Sequence, residues 1–387
     1  VSGQLARRLG TVDATTMGLG SMLGAGVFVA FAPAATAAGS GLLVALVIAA
    51  FVAYCNASSS ARLAARYPQS GGTYVYGRER LGPWWGFTAG WGFVTGKIAS
   101  CAAMALTFAS YVAPGYEKPL AIAAVLALAA VNYRGITRTA ALTRILLAVV
   151  LAVLVAVVVI GLPHATWQPV TWDGVGILQA SGLLFFAFAG YARIATLGEE
   201  VRDPHRTIPR AILLALAMAV VIYLVVGATV LGVLGPSQLA QSSAPLAQIT
   251  PLAKAGAVAG SLGALLALIA GVGRTALAMA RNHDLPPFLA AVHPRFSVPH
   301  KAEVAAAVVV CGLVLAFDVR GAIGFSSFGV LVYYAITNAS AWSMNRSPVA
   351  VAGLVGCAVL VAFLPVSSVL IGLAVFAVGW VVRAVRQ

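Results

Sequence analysis

The stretch from Ala140 to Leu162 carries one charged side chain, Arg144, and the chain repeats such apolar stretches from end to end. At about 20 residues per bilayer crossing, runs of this length and purity read as segments that face lipid, because a water-exposed helix keeps one polar face. The candidate spans are Thr15 to Ala38, Gly41 to Ala61, Pro83 to Tyr111, Pro119 to Tyr133, Ala140 to Leu162 and Val175 to Leu197. They continue with Ile208 to Leu234, Ala255 to Met279, Ala302 to Phe317, Ala322 to Ala341, Pro348 to Phe363 and Val366 to Val382. The fourth, ninth, eleventh and twelfth are short. Charged residues make up 9% of the chain and apolar ones 61%, against about 25% charged in a soluble domain. That balance excludes a soluble globular protein, a disordered chain and a disulfide-built module. The 40 glycines suit closely packed membrane helices rather than a porin-like barrel.

The net charge of +14 is spread singly between apolar runs, so it describes sidedness in a lipid bilayer and no nucleic-acid interface. Alternating the spans puts eighteen of the 24 Lys and Arg on one side and Lys118, Lys254 and Arg320 on the other. The positive-inside rule makes the first side cytoplasmic and, with an even number of crossings, places both termini there, in the cytoplasmic membrane. Lys97, Arg193 and Arg274 fall inside spans. Cys55, Cys101, Cys311 and Cys357 lie in apolar stretches without a CxxC pattern, and His283, His293 and His300 have no zinc-like spacing. No metal, disulfide or cofactor is implied. No short apolar run with a small-residue cleavage site precedes the first span, which is expected to stay.

Two spans are interrupted by glycine. The first carries Gly18, Gly20, Gly24 and Gly26, too many for an unbroken helix. Unwinding at Met22 to Gly24 would start a second half-helix near Ala25 and Gly26, whose free amides and dipole suit a carboxylate. The alternative is a small-residue packing face. In the sixth span, Ser181 to Tyr191, Gly190 breaks an aromatic run. Carbonyls near Phe186 and Ala189 would then accept hydrogen bonds from an ammonium group, and the alternative is lipid-facing packing. Interrupted helices at matching places in two halves point to an inverted-repeat transporter with a mid-bilayer site, and a carboxylate subsite facing an amine subsite describes an amino acid.

Five stretches carry a family resemblance. GLGSMLGAGVF from Gly18, RYPQSGGTYVYGRERLGPWWGFTAGW from Arg66, NYRG from Asn132, FFAFAGYARIATLGEEVRDPHRTIPRAI from Phe185 and GRTALAMARNHDLPPFLAAVHPRF from Gly273 resemble, in order, the amino acid, polyamine and organocation (APC) transporter superfamily. The resemblance covers nearly the whole chain. It implies an all-α membrane protein of about twelve helices: a five-plus-five inverted repeat, discontinuous in helices 1 and 6, plus two C-terminal helices. The first repeat would span residues 1–162, the second 163–341 and the added pair 342–387. It further implies alternating access, with the substrate carboxylate at Ala25 and Gly26 beside Gly24, and the amine at carbonyls of Met22, Phe186 and Ala189 beside Gly190. Phe186, with Tyr191, would form an aromatic gate; the alternative for Phe186 is plain packing. Many relatives carry a fifth-helix lysine where sodium binds in sodium-coupled proteins of this fold; Val150 stands at that position here. Few oxygen ligands occupy the eighth helix, which disfavours sodium.

Lys97 lies near mid-membrane, where an ammonium costs at least about 2.5 kcal/mol to insert. It reads as a titratable group coupling protons to substrate, or as a fixed charge bonded to unwound carbonyls. Arg193, just past the sixth-span break, reads as a coupling residue that draws a carboxylate, or as a partner of Glu199, Glu200 or Asp203. Asp13 reads as a helix cap or a cytoplasmic gate partner. Tyr333 and Tyr334 line a pathway or pack. A secondary transporter of amino acids, proton-coupled or exchanging, is the reading the sequence supports best. Its rivals are a channel and a membrane-embedded enzyme, the latter lacking a nucleophile, metal or acid pair at membrane depth. With no acid in the inferred pocket, neutral or acidic amino acids fit better than cationic ones.

Overall fold

The computed structural model describes residues 9–24, 26–67, 71–134, 139–195 and 201–386. Within them the chain is helical, and the β contact present is an isolated bridge between Leu9 and Val201. The first span is divided into α1 (Thr11–Met22), α2 (Gly26–Val29) and α3 (Phe31–Ala38). The α2–α3 junction has a simple cause: Pro33 has no N–H to donate to the Val29 carbonyl. Next come α4 (Leu42–Arg66), the short connecting α5 (Thr73–Leu81), α6 (Pro83–Val112), α7 (Glu117–Tyr133) and α8 (Thr139–Gly161). The sixth span consists of α9 (Gly174–Phe188), a 3-10 turn over Ala189–Tyr191 and α10 (Ala192–Ala195). Then follow α11 (Pro204–Gln241), α12 (Ala253–Arg281), α13 (His300–Ala316), α14 (Val319–Asn345), α15 (Pro348–Phe363) and α16 (Val366–Arg386).

Each expected stretch therefore carries helix, and nine candidate spans among the described residues are long and apolar enough to cross a membrane. The shortfall from twelve lies in α7, α13 and α15, which have 17, 17 and 16 residues. At 1.5 Å per residue each reaches about 25 Å, short of a hydrocarbon core of about 30 Å. Local chemistry sets several ends. Asp173 and Asp318 cap α9 and α14 by accepting from Val175 N (3.1 Å) and Gly321 N (2.8 Å). Gly235, at φ +69°, followed by Pro236, bends α11 where the seventh span was expected to stop.

The most deeply buried helix is α6, which packs along α12 and α14; α4 packs along α11 and α7 along α13. At the end of the bundle where the arginines collect, a buried carboxylate ties three segments together. Asp284, just beyond α12, contacts Arg383 of α16 and accepts from the Tyr74 hydroxyl at 2.7 Å, with Arg78 of α5 at 3.5 Å. Arg383 also lies over the rings of Trp84 and Phe87, 5.4 and 4.9 Å from their centroids. Although they lie at helix ends, Asp284 and Arg383 are only 5% and 3% exposed.

Candidate transport site

The two helix interruptions expected from glycine content are both present, and they meet. In the first, α1 ends at Met22 and helix resumes at Gly26; Ala25 lies outside the described residues. In the second, α9 tightens into the turn Ala189–Tyr191. A Cβ added to Gly190 would lie 2.5 Å from Met22 N and 2.6 Å from Ser21 O, so only glycine lets this backbone rest on the end of α1. Gly26 rests on Ala187 in the same way, where an added Cβ would lie 2.7 Å from the Ala187 Cα. Gly24 faces elsewhere, toward Ala264 and Gly260 of α12.

The carbonyls released by these interruptions have internal donors. The Tyr223 hydroxyl, from α11, lies 2.6 Å from Met22 O and 2.9 Å from Ala187 O, so its single proton is shared between the two broken helices. Lys97 of α6, 4% exposed, donates from Nζ to Ala189 O at 3.0 Å. The Phe186 carbonyl accepts from the amide of Ala189. Each of the three carbonyls expected to meet a substrate amine therefore holds one donor already, and keeps a second lone pair for another.

Among the aromatic candidates, Phe186 is buried, flanked by Phe185 against Tyr334 (5.8 Å between centroids) and Phe188 against Tyr223 (5.1 Å). The Tyr191 ring lies 5.2 Å from Tyr334, and Tyr333 packs on Phe93. Both tyrosines of α14 are thus packed in the core rather than at an interface with lipid headgroups.

Two cavities flank the meeting point. One, of about 160 Å³, lies on the arginine-rich side between α1, α8 and α12 and is lined by Ser21, Leu23, Val150, Gly260, Arg193 and Arg274, among others. Arg193 therefore faces this cavity while Lys97 holds the second break; the two candidate coupling residues occupy different places. The Arg193 guanidinium approaches α12 at Gly271, one helical turn from Arg274. Of its expected partners, Glu199 and Glu200 lie outside the described residues, and Asp203 lies 4.0 Å from Arg206. Val150 lines the cavity beside Leu23. Asp13, in the first turn of α1, accepts from the Gly10 amide at 3.2 Å, as a cap would, and contacts Arg144 of α8. The second cavity, about 360 Å³, lies on the opposite face, lined by Val29, Ser110, Glu117, Lys118, Asp318 and Arg320. Between the two, the Tyr111 hydroxyl donates to Phe28 O at 2.7 Å and the rings meet edge to face.

Tyr223 was missed by sequence reading. The signal was there: a lone phenol in an otherwise aliphatic span has to find a hydrogen-bond partner. Among the described residues no group of three or more His, Cys, Asp or Glu is placed to hold a metal.

Residues 9–387 match the profile of a family described as amino acid permease. An uncharacterized transporter of Mycobacterium tuberculosis is 58% identical over all of this chain and 93% of its own length. A branched-chain amino acid permease of Bacillus subtilis is 29% identical over 77% of this chain and 72% of its own. Cationic amino acid transporter 4 of Homo sapiens is 27% identical over 85% and 58%. A match of this extent, over a helical chain whose two broken segments converge, settles the class: the protein belongs to the amino acid permease family of the APC superfamily and is a multi-pass membrane transporter, not an enzyme.

Proposed function

We propose that the protein moves neutral or acidic amino acids across the cytoplasmic membrane by alternating access, coupled to protons or to counter-transport. The observation that carries this reading is the contact between the two broken helices, which gathers peptide carbonyls and the start of α2 at one point between cavities on opposite faces. Packing of α4 on α11, α6 on α12 and α7 on α13 pairs helices five spans apart, as two inverted repeats over residues 1–162 and 163–341 would, with 342–387 appended. The excess of arginine on one face supports cytoplasmic termini. A substrate carboxylate is assigned to the amides at Ala25 and Gly26, its amine to the carbonyls of Met22, Phe186 and Ala189, and the gate to Phe186 and Tyr191.

Lys97 bears on both specificity and coupling. Its ammonium at Ala189 sets a positive charge beside the amine subsite, so a substrate with a second cation meets repulsion, and among the described residues no acidic side chain lines the adjoining cavity. Exchange of its proton with the transport pathway, in step with the amine at the Ala189 carbonyl, would link proton movement to substrate movement.

Thermal-shift measurements of the purified chain against all proteinogenic amino acids and simple amines test the substrate class. A true substrate at 100 times its Kd adds about 2.7 kcal/mol of stability, and we expect neutral or acidic amino acids to do so and lysine and arginine not to. Stabilisation by amines that lack a carboxylate would overturn the assignment. Liposome uptake driven by an acid exterior then tests coupling: a Lys97→Gln protein is expected to bind substrate yet lose its response to the pH gradient.

A further inference from the structure

One buried carboxyl has no part in this scheme. Glu303, in the first turn of α13, is 3% exposed, and its Oε2 has no hydrogen-bond partner. A glutamate at that position ordinarily faces water, or turns back to its own helix's amides as in a capping box. Here the side chain lies flat on α12: a Cβ added to Gly273 would sit 2.6 Å from the Glu303 Cγ. The next residue, Arg274, exerts a Coulombic influence on the carboxyl and lines the cavity on the arginine-rich side. Arg274 therefore links a buried acid electrostatically to the space through which substrate would leave.

The other elements around α13 bring few rivals. His300 shares its first turn, with Nδ1 also buried and without a partner, and packs on Tyr133 of α7 and on His293 at ring separations of 5.8 and 5.2 Å. The one charged residue of α6 is Lys97, engaged at Ala189.

We propose that Glu303 is a proton-binding carboxyl of the inner mouth, and that Arg274 couples its protonation to the binding of a carboxylate-bearing substrate in the adjoining cavity. The physics is reciprocal. An ionised Glu303 balances the Arg274 charge from the α13 side. When a proton from cavity water neutralises Glu303, the potential on the Arg274 side of the cavity becomes more positive, which favours a substrate carboxylate there. A carboxylate bound near Arg274 in turn favours the protonated acid, so proton and substrate bind together and leave together, the proton returning to water. This rests on the amino acid reading above, but its first test does not.

That test is pH-difference infrared spectroscopy of the full-length protein without substrate. A carbonyl-stretch band of a protonated carboxylic acid should rise on acidification, vanish in Glu303→Gln and reach half-height at higher pH in Arg274→Gln, because the cation that favours ionisation is gone. A band set unchanged in Glu303→Gln overturns the proposal whatever the substrate. The second test is affinity for the best amino acid of the thermal-shift screen. The native protein should bind roughly tenfold more weakly at pH 8.5 than at pH 5.5, and Glu303→Gln should lose this preference for acid. Binding by the native chain that ignores pH sinks the coupling and leaves the amino acid reading standing. Should Glu303→Gln fail to fold, Glu303→Asp, which keeps the carboxyl, is expected to keep the band and the pH dependence. A folded Glu303→Asp without either overturns the assignment.

Discussion

The two broken helices solve one problem in two ways. Each exposes carbonyls inside a membrane protein, where an unmet acceptor is costly. The first is answered by a neutral group, the Tyr223 phenol, reaching Met22 O; the second is answered by the same phenol at Ala187 O and by a charge, Lys97, at Ala189 O. A shared neutral donor holds the breaks to each other, whereas the ammonium serves one break alone. The difference separates what keeps the site assembled from what can change during a cycle. Tyrosine offers one hydroxyl proton to two acceptors, while the lysine ammonium brings a full charge into an apolar setting.

The sharpest way to break the pairing is at Gly190. A methyl there meets the backbone of Ser21 and Met22 at 2.5 Å, and backbone cannot step aside as a side chain can. Gly190→Ala is expected to cost about 3 kcal/mol or more, the upper end for overpacking, and to abolish uptake; the check is thermal stability in detergent beside liposome flux. Gly312→Ala is the control. An added Cβ there meets nothing within 4 Å, so the change should stabilise α13 by up to about 1 kcal/mol through helix propensity. Equal behaviour of the two variants would refute the close approach.

Tyr223→Phe and Lys97→Met sharpen the comparison by removing one donor each. Without the phenol, the carbonyls of Met22 and Ala187 both lose a partner, and a loss of about 1–3 kcal/mol is expected. Lys97→Met also strips a carbonyl of its donor, but it relieves the burial of a charge, which costs several kcal/mol. That variant is expected to be as stable as the native protein or more so, while failing to respond to a pH gradient. A Lys97→Met protein clearly less stable than Tyr223→Phe would mean that the ammonium, not the phenol, holds the breaks together.

The broken helices were legible because glycine in a span has few causes, and the positions of Gly24, Gly26 and Gly190 follow from it. Their partners were harder to read. Gly24 and Gly190 look alike along the chain, yet Gly24 packs on α12 and Gly190 on α1, a difference made by tertiary contact alone. Tyr223, Asp284 and Glu303 escaped for a related reason. Their residue types are ordinary, and their roles arise from elements distant in sequence that bury them. Lys97 stood out since a charge between apolar turns demands a partner, although nothing local to it pointed to Ala189.

The smallest expected effect concerns the mouth of the cavity beside the breaks. Asp13 and Arg144 join the first turns of α1 and α8, with side chains 21% and 57% exposed. So open a pair contributes under about 1 kcal/mol to stability, and Arg144→Gln should hardly change the melting temperature. Its influence on conformation is another matter. If the contact exists only while the mouth is closed, 1 kcal/mol shifts that equilibrium about fivefold, since every 1.4 kcal/mol is a factor of ten. A cysteine in place of the cavity-lining Ser21, in a background with Cys55, Cys101, Cys311 and Cys357 replaced, reports the opening through its rate of thiol labelling. That rate should rise several-fold in Arg144→Gln, and the gap should narrow in high salt, where the native pair is screened. An unchanged labelling rate would mean that α1 and α8 keep their distance without the pair, and that Asp13 acts solely as the cap of α1.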